Sequence, residues 1–434
     1  MNLPRPSRGR FGNCNIIPGF ATENRLIRPQ DCTIKAKPLA ALAYRDFRLL
    51  FVAHPLILVG SGMRNVANAY QVYQITGDAR LLGLTFLFQG IPALVMGLVG
   101  GSLADLFDRR RLLQVVVALE AALALLLAIL TFSGHIEVWH IYAVTFTCAL
   151  LDSVTHPAQQ ALIPKLVPEK DLLNATALRA STSQAAQLIG PLLGGGAIQV
   201  LGAGTVYAAN AALLVPALIF LSMLHVREDR HRSRPPLNLA FLFDGVAFVL
   251  RTPALLAFTL LDTVTMLLGF YPAMMPVFAK DVLQVGPAGL GALLSAPAFG
   301  ALLGFVGILM LGNIQRRGLV LLVVTLLHAV ALYLFAYSTW LPMALVLVAL
   351  LGFLDSMSMS VRMTAFQTLA PDHVRGRVMS VLFVAAVSSN SLGGAFLGFT
   401  TEWLGVREAL AAGAIGAGAF AVLVAVFWKQ VRRF

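Results

Sequence analysis

Charge is what this 434-residue chain has least of. Asp, Glu, Lys and Arg make up 12 % of it, half of the roughly 25 % carried by soluble domains. That density cannot clothe a water-facing surface of this length, so a soluble globular fold is excluded. Disordered, coiled-coil, collagen-like and disulfide-scaffold chains are excluded by the same composition. Cysteine is scarce as well. Cys14, Cys32 and Cys148 show no CxxC or metal-ligand spacing, which leaves free thiols and no metal site. The motifs GxxxxGK[ST], HExxH and GxSxG are missing. Their absence argues against direct ATP drive and against an enzyme, and no cofactor is expected.

What the chain has is hydrophobic sequence: 58 % of its residues, with mean hydropathy +0.80. A membrane-spanning helix needs about 20 mostly apolar residues. Cutting at charge clusters and Gly/Pro turns gives twelve such stretches. They lie near 47–70, 81–105, 112–132, 137–157, 177–201, 204–225, 254–278, 288–311, 318–337, 340–362, 377–400 and 406–429. The fold class expected is all-α integral membrane, twelve transmembrane helices in two pseudo-symmetric six-helix bundles.

The formal net charge is +12. It points to the lysine and arginine excess of cytoplasmic loops rather than to nucleic acid. With both termini inside, 28 basic residues fall on the cytoplasmic side. Arg80, Lys280 and Arg407 fall outside, and Arg64 lies within the first span. Residues 1–45 are polar and lack the apolar run of a cleaved signal, so a disordered cytoplasmic tail is expected there. Residues 227–236 (Arg-Glu-Asp-Arg-His-Arg-Ser-Arg-Pro-Pro) divide six stretches from six. The organisation expected is a tail (1–45), an N-terminal bundle (46–226), a cytoplasmic linker (227–252) and a C-terminal bundle (253–434).

The halves repeat each other. Gly97, Gly101, Asp152, Pro168 and Gly190 recur 203 residues later as Gly300, Gly304, Asp355, Pro371 and Gly393. Glycines coincide cheaply in a chain with 37 of them; an aspartate recurring inside a membrane span does not. Duplicated halves meeting at a central cavity are a transporter architecture. The pairs Gly97/Gly101, Gly190/Gly194, Gly300/Gly304 and Gly394/Gly398 are GxxxG patterns, which let helix backbones approach closely.

Residues 101–111, Gly-Ser-Leu-Ala-Asp-Leu-Phe-Asp-Arg-Arg-Arg, resemble the loop between helices two and three of the major facilitator superfamily. The resemblance implies a conformational gate at Gly101, Asp105, Arg109 and Arg110. Ile308 stands at the matching aspartate position of the second half. Residues 190–195, Gly-Pro-Leu-Leu-Gly-Gly, look like the antiporter signature of exporting facilitators, with Ala186 in place of its first glycine. That assigns an antiporter motif to Gly190, Pro191, Gly194 and Gly195; a kinked packing helix is the other reading. Residues 157–175 and 366–380, with Tyr271-Pro272-Ala273, resemble the enterobactin-exporter and macrolide-efflux-type branch.

The resemblance covers about residues 44–430. It implies secondary active export of a small amphipathic molecule, a siderophore or a drug, by alternating access with proton antiport. An importer or a lipid flippase on the same fold stays open. The partners implied are that small molecule, protons and membrane lipids. The protein is expected as a monomer in a bacterial-type inner (plasma) membrane.

Ionisable groups inside spans are costly and become functional candidates. Asp152 and His156 are four apart on one helix face. With Asp355 they are the proton-coupling candidates, static interhelical pairing being the alternative. Asp355 and Arg362, seven apart, share a face and are placed to pair. Glu120 and Asp262, with no repeat behind them, read as static pairs. Arg64, Asn68 and Gln71 sit at helical spacing in the first span with Asn65 alongside. These four are the substrate-cavity candidates, suited to an oxygen-rich or anionic ligand, or they line a cavity without selectivity.

Overall fold

The computed structural model describes residues 39–104, 108–225, 240–312 and 316–428; the side chains of 97–104, 240–244, 311, 372 and 373 are outside the description. Every regular element among these residues is helical. Lipid offers no partners to backbone N–H and C=O groups, and a helix satisfies its own. The first part of the chain forms α1 (Arg45–Thr76), α2 (Ala79–Ala104), α3 (Arg109–Phe132), α4 (Val138–Leu166), α5 (Leu172–Leu201) and α6 (Ala203–Ser222). Then come α7 (Ala240–Arg251) and α8 (Pro253–Gly269). The latter continues through a 3-10 turn (Tyr271–Met274), the short α9 (Met275–Val277) and a π segment (Phe278–Val282). Last are α10 (Pro287–Leu311), α11 (Arg317–Ala336), α12 (Leu341–Leu369), α13 (Asp372–Leu404) and α14 (Val406–Phe427).

Among the described residues, eleven helical runs are long and apolar enough to cross a membrane. The twelve expected stretches fall on these eleven and on α5. That helix has 30 residues, but its first half carries Asn174, Thr176, Arg179, Ser181, Thr182, Ser183, Gln184 and Gln187.

Two stretches near the expected boundaries carry regular structure. Ala40–Ala43 form a 3-10 turn, and the buried Ala41 donates its backbone N–H to Asn174 Oδ1 at 3.0 Å. Beside it the Tyr44 hydroxyl donates to Asp171 at 2.8 Å, and that bond raises the phenol above its ordinary pKa. The second is in the expected linker, 227–252. Its end, Ala-Phe-Leu-Phe-Asp-Gly-Val-Ala-Phe-Val-Leu-Arg, is apolar enough to fold as α7 and pack on α13 and α8. Residues 227–236 lie outside the described residues.

The helices pack in a pattern that occurs twice. In the first part, α1 lies on α5 and α6, α3 on α6, and α2 on α4. In the second, α8 lies on α13 and α14, α11 on α14, and α10 on α12. The two sets meet chiefly through α2 against α13 and α5 against α10.

The apolar core is distributed unevenly along the helices. The end carrying Arg45, Arg109, Lys170, Arg317 and Arg375 is the basic end. There the core is divided, and its two largest clusters each come from one part of the chain. One comes wholly from Ala41 to Leu224, around Phe47, Leu113, Leu162 and Leu221. The other comes from Val249 to Val424, around Phe258, Leu321, Phe366 and Val378. Toward the far end a single cluster runs across both sets of helices, joining Met63, Tyr73, Ile198 and Tyr207 to Tyr271, Phe278, Leu290 and Phe335. The far end is also bridged by polar groups. The Tyr73 hydroxyl donates to Asp281, and Lys280 Nζ sits 5.0 Å from the centre of the Tyr73 ring. Arg80 spans Asp78 at 2.9 Å and Glu402 at 3.4 Å. It holds the Asp78 carboxyl below the usual carboxylate range. Exposed pairs of this kind contribute little to stability; the shared apolar cluster carries the closure.

Candidate functional site

Polar side chains are gathered in two places between the apolar clusters. In the first part they lie among α1, α3 and α4. A cleft of about 500 Å³ is lined there by His54, Ser61, Glu120, Asp152, Thr155, His156 and Gln159. Helical spacing brings Asp152 and His156 into this cleft together. Glu120, 1 % exposed, reaches across from α3 into the cleft that Asp152 lines. Arg64 is buried beside them, within electrostatic reach of Glu120, Asp152, Cys148 and Tyr207. His54 meets Ser183 Oγ of α5 at 3.0 Å.

The stripe on α1 does not act as one surface. Asn68 and Gln71 are buried and engaged by neighbours. Asn68 donates to Thr145 Oγ1 at 3.2 Å and accepts from the Tyr207 hydroxyl at 3.0 Å. Gln71 donates to Thr131 Oγ1 at 3.3 Å. They tie α1 to α3, α4 and α6 and do not line the cleft. Asn65, one step round the helix, is exposed. Tyr207→Phe leaves Asn68 Oδ1 without its donor in a dry site. The expected cost is about 1 kcal/mol, read as a lower unfolding midpoint of the purified protein in detergent; an unchanged midpoint would show that the bond contributes nothing.

The second polar place lies among α8, α11 and α12. A cavity of about 310 Å³ is lined by Asp262, Thr265, Thr325, His328, Asp355 and Ser358. Asp355 does not pair with Arg362. Its Oδ1 lies 3.1 Å from His328 Nδ1, while Arg362 forms an ion pair with Asp262 of α8. Seven residues along one helix give Asp355 and Arg362 a common face, but the approach of α8 and α11 supplies each with a nearer partner.

Asp105 lies outside the described residues, as do the side-chain surroundings of Gly101. What is described is the start of α3. Asp108 caps it, its Oδ1 accepting from the Arg111 N–H at 3.0 Å. Three arginines in a first helical turn oppose the helix dipole. Two of them turn to carbonyl groups on neighbouring helices: Arg109 to Ala161 O at 3.4 Å and Arg110 to Ser222 O, the last residue of α6. Gln114 adds a bond to Leu221 O at 3.1 Å. The basic cluster thereby ties α3 to α4 and α6.

The glycines of the 190–195 segment sit at two contacts. A Cβ on Gly194 would lie 2.9 Å from Met63 Cα, and one on Gly190 would lie 3.1 Å from Gly62 Cα. This face of α5 is therefore seated on α1, with Pro191 inside the helix. Gly195 faces the other way, and its Cβ would lie 2.5 Å from Pro287 O and 2.7 Å from Gly291 Cα of α10. The segment joins helices within one set and across the two sets. On α13, Gly398 meets Gly83 of α2 as closely.

Glu120, Asp262 and His328 are the ionisable groups whose placement the sequence left open or missed. For Glu120 and Asp262 the signal was their position inside spans. For His328 it was a lone imidazole in the apolar run of α11.

Comparison with known proteins adds a second line of observation. The family described as transmembrane secretion effector matches residues 36–433. The chain is 26 % identical over 389 residues to the enterobactin exporter EntS of Shigella boydii serotype 4 (strain Sb227), covering 89 % of this chain and 93 % of that protein. It is 25 % identical, with the same coverage, to the enterobactin exporter EntS of Escherichia coli O139:H28 (strain E24377A / ETEC). The fold is similar to that of a bacterial homologue of the human lysosomal transporter Spinster, solved in an inward-facing, unoccupied conformation. The TM-score is 0.69 at 15 % identity, over 90 % of this chain and 98 % of that one. It is also similar to the nucleoside transporter NupG, with a TM-score of 0.71 at 14 % identity over 90 % and 99 % of the two chains.

Proposed function

The chain belongs to the transmembrane secretion effector family, a branch of the major facilitator superfamily of membrane transporters, and from that membership we propose that it exports a small amphipathic molecule of the siderophore class by proton antiport. The observation that carries the mechanism is the division of the core: one shared cluster toward the far end and, at the basic end, two large clusters that each come from one part of the chain. Two six-helix bundles, α1–α6 and the set from α8 to α14, rock about that shared cluster. The α5 helix is the twelfth span, and the boundaries near 226 and 253 mark the join. Basic loops face the cytoplasm, so both termini lie inside and the state described is open to the cytoplasm. A monomer is sufficient for this motion.

Siderophore export rests on the relatives named as enterobactin exporters. The transport cycle assigns proton coupling to Asp152 and to Asp355; Glu120 and His156 line the same cleft as Asp152. Arg64 supplies fixed positive charge, and Asn65 is the α1 group offered to substrate. Gly101, Asp105, Arg109 and Arg110 form the cytoplasmic gate, whose arginines already hold helix ends together. Gly190, Pro191, Gly194 and Gly195 form the antiporter segment on which the bundles close.

Asp152→Asn is expected to abolish efflux of enterobactin, the first compound to test, with the protein still present in the membrane. Asp105→Asn is expected to do the same. Efflux at the wild-type rate in both variants would remove the mechanism. Accumulation in inverted vesicles, and none in right-side-out vesicles, is the expected sign of export.

A further inference from the structure

His328 is the group for which the proposed transport cycle has no use so far. It lies in the middle of α11 and is 2 % exposed. Its Nδ1 is held by Asp355 Oδ1 at 3.1 Å. Its Nε2 is buried without a hydrogen-bond partner, and the residue lines the 310 Å³ cavity among α8, α11 and α12. A buried imidazole nitrogen with nothing to bond is costly unless it exchanges with water or a ligand. A carboxylate beside the other nitrogen favours the tautomer with the proton on Nδ1 and the lone pair on Nε2. The same carboxylate is the counter-ion for the imidazolium when Nε2 takes a proton.

The geometry points to His328 as a proton-carrying group of the second bundle, with Asp355 positioning it. This rests on the proton-antiport reading given above. Hydronium in the cavity gives its proton to Nε2; an N–H bond forms there, an O–H bond breaks, and water is left. Asp355 stays beside Nδ1 throughout. The reverse step returns the proton to water when the cavity opens to the other side.

The charged and titratable groups facing His328 are few. Asp355 comes from α12. Asp262 comes from α8 and is already neutralised by Arg362. Tyr271, in the 3-10 turn after α8, has its ring centre 6.4 Å from that of the imidazole and also lies within electrostatic reach of Asp355. The charge of Asp355 is therefore the one left to answer an imidazolium. The two polar places are then not copies. Asp152 and Asp355 correspond at the 203-residue offset, but the first shares its cleft with a carboxyl on α3 and the second is partnered by an imidazole on α11.

Two measurements on the full chain test this. In micelles, the imidazole nitrogen-15 signals of wild type and His328→Gln identify the His328 resonance by its loss. That resonance is expected to change reversibly between its unprotonated and protonated forms as the pH is varied, and this response is expected to change in Asp355→Asn. A His328 signal that never changes with pH overturns the assignment. In proteoliposomes, with enterobactin as the probe, His328→Gln is expected to lose pH-gradient-driven transport by about tenfold while exchange without a gradient continues. Driven transport equal to wild type in His328→Gln, where wild type responds to the gradient, overturns the assignment and leaves antiport standing. A wild type indifferent to the gradient overturns antiport itself, even if His328 titrates. Loss of exchange together with driven transport in His328→Gln, His328→Asn and Asp355→Asn makes the pair a structural pin and overturns the assignment too.

Discussion

Leucine at Gly195 is expected to stop transport and to prop open the end of the molecule remote from the basic loops. The α5 helix meets α10 there backbone to backbone. A Cβ at Gly195 would stand 2.5 Å from Pro287 O and 2.7 Å from Gly291 Cα. Neither atom is the tip of a side chain that can swing aside, so the helices must part. Overpacking of this kind costs about 1–3 kcal/mol, enough to move a two-state balance about 5- to 150-fold. Spin labels at Val200 on α5 and Ala288 on α10, both exposed, should report longer distances in Gly195→Leu than in the parent. The neighbouring glycine gives the control. Nothing lies within 4 Å of a Cβ built on Gly196, so Gly196→Leu should transport and retain the short distance. If the two variants behave alike, tight packing at Gly195 is not what closes this end.

The second large effect is expected at the Asp262–Arg362 pair. Both side chains are almost sealed, at 8 % and 10 % exposed. Removing one partner strands the other in a medium that cannot solvate it, at a cost of about 3–5 kcal/mol. Arg362→Gln should therefore lower the unfolding midpoint in detergent sharply, and Asp262→Asn should do so too. The double variant Asp262→Asn/Arg362→Gln should recover most of the loss, because two neutral polar groups of similar shape can bond each other. A double variant whose loss equals the sum of the single losses would show that the pair is not coupled.

The spans were legible because lipid asks for about 20 apolar residues whatever the fold, and eleven helical runs among the described residues meet that demand. The α7 helix was not, because the charges before it suggested that the whole linker was solvated. At the candidate site, Asp152 could be singled out by its echo at Asp355. His328 has no echo, since Leu125 stands 203 residues before it, and its meaning comes only from the docking of α11 on α12. Glu120 is similar: nothing along α3 reveals that it will meet Asp152. Asn68 and Gln71 were visible as a stripe. That they bond Tyr207, Thr145 and Thr131 depended on helices far away in sequence. Chemistry that repeats, or lies along one helix, can be read from sequence; chemistry made by two helices meeting needs the structure.

The polar first half of α5 has a consequence for how the chain is made. A segment with Asn174, Arg179, Gln184 and Gln187 in its opening turns partitions poorly into lipid when it leaves the ribosome alone. Its partners are already synthesised by then: the Ala41 N–H for Asn174 and His54 for Ser183. Only Gly202 separates it from the strongly apolar α6. With α5 as the twelfth span proposed above, it is expected to enter the bilayer as one arm of a hairpin drawn in by α6, against a first helix already waiting. On that reading the most polar span depends on both neighbours to commit.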